Sequence, residues 1–421
     1  MPFGPACQVR PVRAVSLVTI LSLVGFAAAP AARAQDVGAA AREDDALTLD
    51  DAQAAAEADA PAVASSSARV AIAHADTGIA GMFPNPRLGI GGGVNYLVVA
   101  DFFILLPIFG QRETTEEAAS AEERAVEAGV AVTRLDARLA AALAWIELWS
   151  AERDIGLASE DATRRDTLHD IAVARFEEGD GTELDVLRTR ADALRAHAES
   201  RALEGARSAA RARLSAALGA SEVPAWATVG EPTPDAIELP ALGDLDTIVA
   251  SHPVALRFGA SSHAADAGVE RAHRARWPLF GISVSDWVSR ATESSDLRVL
   301  VTFEVPIFDE PRIERAEAVR DAARADADGA MVLLRAGVVA ARAELEATLD
   351  RCASEEGDVL PATREAADLA VEAYESGALD LSGTLSAAQL RLEAERRVLR
   401  CSADRGRGWA RLEHAMGGPH A

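Results

Sequence analysis

Across its 421 residues the chain carries 42 basic and 66 acidic side chains, a formal charge of −24. So acidic a surface repels phosphate backbones and excludes nucleic acid as a partner. A hydrophobic share of 49% excludes simple disorder, yet much of it is alanine and only 5% of residues are aromatic, the composition of long, closely packed helices.

Arg10 and Arg13 precede an apolar stretch over residues 14–29 that is closed by Ala32-Arg33-Ala34, so residues 1–34 are expected to be a secretory signal peptide. That stretch is shorter than the ~20 residues a spanning helix needs, and no later run rivals it, so a helical inner-membrane protein is not expected. Cys7 lies ahead of the apolar core and offers no lipid anchor. Next, Thr48 with Asp51 gives a capping start, and a helix over 62–83 is stopped by Pro84-Asn85-Pro86. Strands are expected over about 87–107, where Leu88, Ile90 and Val94 alternate with glycines before an almost wholly apolar return over 97–106. Residues 112–178 contain no proline and predict a helix of roughly 100 Å at ~1.5 Å per residue. After the turn at Gly179 a second helix is expected over 182–218, and the proline-rich, acidic segment 220–245 reads as irregular.

The remainder repeats this plan. Pro61, Pro86, Pro107, Gly179 and Gly219 are answered by Pro253, Pro278, Pro306, Gly377 and Gly417, at offsets of 192, 192, 199, 198 and 198. The chain is therefore read as one unit duplicated. The first copy is placed at 35–219 and the second at 246–417, with a short tail at 418–421. The second copy has strands expected over about 279–306 and helices over about 311–376 and 380–416, with a kink at Pro361. Val299, Val301, Phe303 and Val305 alternate with Arg298, Leu300, Thr302 and Glu304, which makes them candidates for a lipid-facing strand. Each strand is near the length that crosses a bilayer at a tilt, and lipid tolerates no unpaired edge. Four strands cannot close alone, so copies of the chain must pool them if they span a membrane.

Several landmarks together resemble the TolC-like outer-membrane efflux proteins: Leu47-Thr48-Leu49-Asp50-Asp51-Ala52, Pro84-Asn85-Pro86-Arg87-Leu88, Leu106-Pro107-Ile108-Phe109, Arg175-Phe176 with Gly179, Leu184-Asp185-Val186-Leu187 and Ser251-His252-Pro253. The resemblance covers essentially the whole chain after the leader. It implies a mainly α chain with a small β part, completed as a homotrimer with a 12-stranded barrel in the outer membrane and a 12-helix periplasmic tunnel. It also implies a smaller mid-tunnel girdle, for which 220–245 and the chain ends are the candidates. The implied role is a passive channel subunit of a tripartite efflux or type I secretion system, working with a periplasmic adaptor and an inner-membrane pump. The alternative is a periplasmic helical adaptor or structural coiled coil without a pore.

The resemblance places the periplasmic gate at the helical turns. Asp185 occupies the place of a family aspartate in the closing network. In the second copy Gly383 and Ser386 replace the paired aspartates that ring the pore in some members, so Asp380 or Glu375, beside Gly377, would supply the acidic ring. Three copies of a carboxylate at a constriction favour cations; ordinary helix capping is the plainer role for the same residues.

Trp145 and Trp149 lie four apart on one stripe and are read as packing anchors. Cys352 and Cys401 lie at near-equal distance on either side of Gly377, which puts them at similar height on antiparallel helices. A disulfide in an oxidising compartment and two free thiols both remain open there. The scattered histidines form no metal-ligand spacing, no phosphate-cradling glycine loop occurs and the chain has no lysine. No enzyme, metal or cofactor is expected, and any energy for transport must come from a partner.

Overall fold

The computed structural model describes residues 46–418 apart from Asp235, Ala236, Glu238, Glu293 and Phe308. The expected leader and residues 419–421 lie outside the described residues. A two-residue strand β1 (Ala46–Leu47) leads to α1 (Leu49–Asp59), whose first turn is closed by a reciprocal Thr48–Asp51 capping box. Then come α2 (Pro61–Ala80), β2 (Arg87–Gly91), β3 (Tyr96–Leu106), α3 (Gln111–Glu178) and α4 (Glu183–Leu218). After β4 (Ala227–Thr228) and the short α5 (Leu245–Ser251), the order recurs with α6 (Pro253–Arg274), β5 (Leu279–Ser289), β6 (Ser295–Glu304), α7 (Glu310–Ser354), α8 (Leu360–Glu375) and α9 (Leu381–Met416).

The 68-residue α3 is too long for any one partner, and ion pairs show how its flank is filled. His74 and Thr77 of α2 bond Glu123, while Asp192 of α4 meets Arg165 and His197 of α4 meets Asp166. The helices α2 and α4 thus lie end to end, antiparallel to α3. The second half uses the same device. Asp266 of α6 pairs with Arg324 of α7, and Asp404 of α9 pairs with Arg351 of α7. No helix among the described residues is long and apolar enough to cross a membrane.

Between α7 and α8 the backbone makes a π-turn over Glu355–Val359, with the Leu360 N–H donating to the Glu355 carbonyl. The cause is Pro361, whose ring would strike the carbonyl of Gly357 in a regular helix and which has no N–H to return. The widened turn absorbs the proline, and the helix resumes.

The four strands form one antiparallel sheet in the order β2-β3-β5-β6. The centre pairs β3 with β5, joining the two halves of the chain, and the register puts Leu88, Phe102, Val284 and Val299 in one row. Ile104, Ile282 and Val301 form the next row, and Leu106, Phe280 and Phe303 another. The opposite face carries Gly89, Asp101, Ser285 and Arg298. Phe103 belongs to that second face, where it is accommodated by Gly281: a Cβ there would sit 2.8 Å from the Phe103 ring. Both β2 and β6 are edges within the chain, and Val299, Val301, Phe303 and Val305 are all exposed.

The main core gathers around the middle of α3, where Trp145, Ile146, Leu148, Trp149 and Leu214 pack with alanines of α1. The indole N–H of Trp145 donates to the Leu47 carbonyl at 2.8 Å, and that of Trp149 to the Gly230 carbonyl at 3.0 Å. Both tryptophans therefore hold the segments around the parallel pair of β1 with β4 against α3. On the other side Pro232 lies against Gly406 of α9, where a Cβ would come within 2.6 Å of it.

Candidate functional site

Away from the sheet, polar contacts gather at the two helical tips. At the first, Gly179 takes φ +88° and lets the Asp180 and Gly181 N–H groups return to the Arg175 carbonyl, each at 2.9 Å. Thr182 then caps α4, accepting from the Asp185 N–H at 3.1 Å while its hydroxyl donates to the Asp185 carboxylate at 2.8 Å. A Cβ on Gly181 would lie 2.9 Å from the Phe176 nitrogen, so the turn admits no side chain there.

The second tip uses the same turn with different side chains. Gly377 takes φ +79°, Ala378 and Leu379 return to the Ala373 carbonyl, and Asp380 caps α9. The Asp380 carboxylate accepts from the Gly383 N–H at 3.1 Å and from the Ser382 hydroxyl at 3.0 Å, so its capping role is explicit. Glu375 and Gly377 are exposed beside it.

What joins the tips is Arg175. Its guanidinium donates to the Tyr374 carbonyl at 2.6 Å and to the Asp180 carbonyl at 3.2 Å, and it lies 4.6 Å from the centre of the Tyr374 ring. Tyr374 is buried with Leu168, Ala172 and Leu381. Burial raises the Tyr374 phenol above its ordinary value, and the negative charge of Asp185 adds to that rise. Within the first tip, the Asp185 N–H and carboxylate complete the Thr182 cap. Sequence reasoning missed Tyr374. The offset of 198 that relates the tips sets it opposite Phe176, and it is one of only two tyrosines in the chain.

Above the tips a charged layer crosses the bundle. Glu395 of α9 is almost fully buried and receives Arg164 at 2.9 Å and both Arg364 and Arg391 at 3.2 Å. Beside it, Arg165 bridges Asp161 and Asp192. Burial raises the Asp161 carboxyl above the usual carboxylate range, against the pull of Arg165. A cleft of about 250 Å³ opens between these groups, floored by Leu168, Ala367 and Val371. Arg164–Glu395, Arg165–Asp192 and Arg364–Glu395 each join two helices, the arrangement of a structural tie.

The remaining expected residues lie apart from the tips. The exposed strand residues Val299 to Val305 are in the sheet region, and Cys352 and Cys401 are buried thiols on α7 and α9. Among the described residues no group of three or more His, Cys, Asp or Glu is arranged to hold a metal.

Neither a protein-family model nor a curated protein sequence matches the chain. Solved structures do. CusC, whose structures describe folding and transmembrane channel formation, superposes with a TM-score of 0.74 at 16% identity, over 88% of this chain and 92% of that one. The Campylobacter jejuni CmeC outer-membrane channel gives 0.73 at 14% identity, covering 88% and 85%. The open state of the Neisseria gonorrhoeae MtrE outer-membrane channel gives 0.70 at 18% identity, covering 88% and 89%. A likeness at such identities is one of fold, and the chain has the fold of the TolC-like outer-membrane channels.

Proposed function

We propose that the chain is one subunit of an outer-membrane conduit, a homotrimer that carries solutes passively through a helical tunnel and a shared β-barrel. The observation that carries this reading is the sheet: four strands whose register stacks successive apolar rows on one face, Leu88, Phe102, Val284 and Val299 and then Ile104, Ile282 and Val301, with an unpaired strand at each edge. A bilayer accepts such a face and rejects such edges, so the sheet needs further copies to close. Three copies of four strands give the twelve that the resemblance implies.

The helical flanks support the same assembly. On one side α2 and α4 expose Ile72, Ile79, Leu187 and Leu194; on the other α7 and α8 expose Val332, Leu333, Val339 and Leu369. Two different apolar sides on one chain suit a head-to-tail ring. With Asp185, Glu375, Gly179, Gly377 and Asp380 at the tips, the tunnel's narrow end is the gate, and three sets of carboxylates there favour cations. The energy source is an inner-membrane pump coupled through a periplasmic adaptor.

Membrane fractionation, cross-linking and planar-bilayer recording test the proposal together. The expected outcome is a detergent-extracted trimer with discrete conductance steps. A soluble, non-conducting single chain would replace it with the helical adaptor reading.

A further inference from the structure

The helices α7 and α9 are in register around one pair of residues. Leu345 of α7 lies against Gly408 of α9, where a Cβ would be 3.0 Å from the Leu345 methyl group. Seven residues on from Leu345 is Cys352, and seven back from Gly408 is Cys401. In antiparallel helices seven residues is two turns on each strand, so the contact recurs at the cysteines. Arg351–Asp404 at 3.0 Å and Arg397–Glu355 at 3.1 Å clamp the two helices on either side. Both cysteines are buried, 0% and 4% exposed. No other cysteine lies among the described residues.

We infer that Cys352 and Cys401 are a disulfide-forming pair that staples α7 to α9 immediately before the π-turn. The inference rests on the export reading, because an oxidising compartment supplies the oxidant, a protein or small-molecule disulfide. One cysteine thiolate attacks a sulfur of that disulfide and expels one thiolate. The other cysteine then attacks the mixed disulfide and expels the second. The two cysteines lose two protons and two electrons, and the oxidant disulfide becomes two thiols.

The order of events follows from burial. In the folded chain burial pushes the Cys352 thiol up to about 12, with the neighbouring Cys401 adding to the rise, so Cys352 is a poor nucleophile there. The bond therefore closes while α7 and α9 are still docking, and once closed it is sealed from reductants. The staple also has a mechanical consequence. The π-turn begins three residues beyond Cys352, so α8 and the second tip would bend from a fixed point instead of drawing α7 along.

The test compares two preparations of the full chain, alkylated in denaturant before and after reduction and read by peptide mass. One is extracted from cell membranes; the other is refolded from the reduced, denatured state in a glutathione redox buffer. The expected result is that the Cys352 and Cys401 peptides are unlabelled without reductant and labelled after it, in both samples. A Cys352→Ser chain should leave Cys401 labelled in either condition. Labelling of both cysteines in the refolded wild type without reductant, or disulfides joining separate chains, would overturn the pairing. A pair closed on refolding but open in cells would uphold the geometry and count against export.

Discussion

The two helical tips are built on one plan and finished differently. Both turn on a left-handed glycine, Gly179 and Gly377, and both restart on a capped helix, with Thr182 and Asp380 in equivalent places. Yet the first tip leaves Phe176, Leu184 and Leu187 exposed, while the second buries Tyr374 and Leu381. At the second, the Thr384 hydroxyl also donates to the Ala370 carbonyl, tying the start of α9 back onto α8. Turn chemistry is thus conserved between the halves because backbone geometry demands it, and the side chains divide the labour. The second tip is packed into its own chain, and the first leaves apolar side chains exposed.

The sharpest way to break this contrast is to truncate the equivalent aromatics. Tyr374→Ala should cost about 3–5 kcal/mol in denaturant unfolding of the detergent-solubilised chain, the range for losing a buried aromatic. Phe176→Ala, at an exposed site, should stay within about 0.5 kcal/mol of wild type for the isolated chain. Equal losses would mean that the tips are packed alike. Next in size is Arg175→Met, which keeps bulk but removes the link between tips. It should cost about 1–3 kcal/mol, the sum of a charge-assisted hydrogen bond and a ring stack. In bilayers it should raise single-channel conductance, and an unchanged conductance would show that Arg175 is no latch.

Among the Tyr374 and Arg175 variants, Tyr374→Phe should have the smallest effect at neutral pH, within about 1 kcal/mol of wild type, because Arg175 bonds the backbone carbonyl that phenylalanine keeps. Its diagnostic is alkaline. Because folding raises the Tyr374 phenol, the unfolded chain ionises first. The stability that Tyr374 contributes is whole below the ordinary tyrosine range and falls as pH rises through it towards the folded value. Wild type should weaken in that window, and the phenylalanine variant should weaken less.

The mainly helical character of the chain was legible because composition and proline spacing both report it, and the alternation of Val299, Val301 and Phe303 is equally local. The sheet order was not legible, since alternation says which face a residue takes but not which strand lies beside it. The continuous apolar run of β3 was ambiguous for a further reason. Its polar-face members, such as Phe103, depend on a gap left by Gly281, about 180 residues away. At the tips, the capping of α9 by Asp380 could be read from its place before a helix. The Arg175–Tyr374 link could not, because it joins residues 199 apart through a backbone carbonyl that no side-chain pattern marks.

The pairing of β3 with β5 has a consequence for how the molecule must be made. The first hairpin emerges early in synthesis but cannot complete its hydrogen bonds until residues 279–289 follow. A similar wait applies to β1, which finds its partner only at Ala227–Thr228. A duplicated chain is thereby prevented from folding as two successive halves, because the first hairpin holds open a place that only the second can fill. Such non-local closure is slow and leaves sticky strands waiting, so the newborn chain depends on being shielded until its last third arrives.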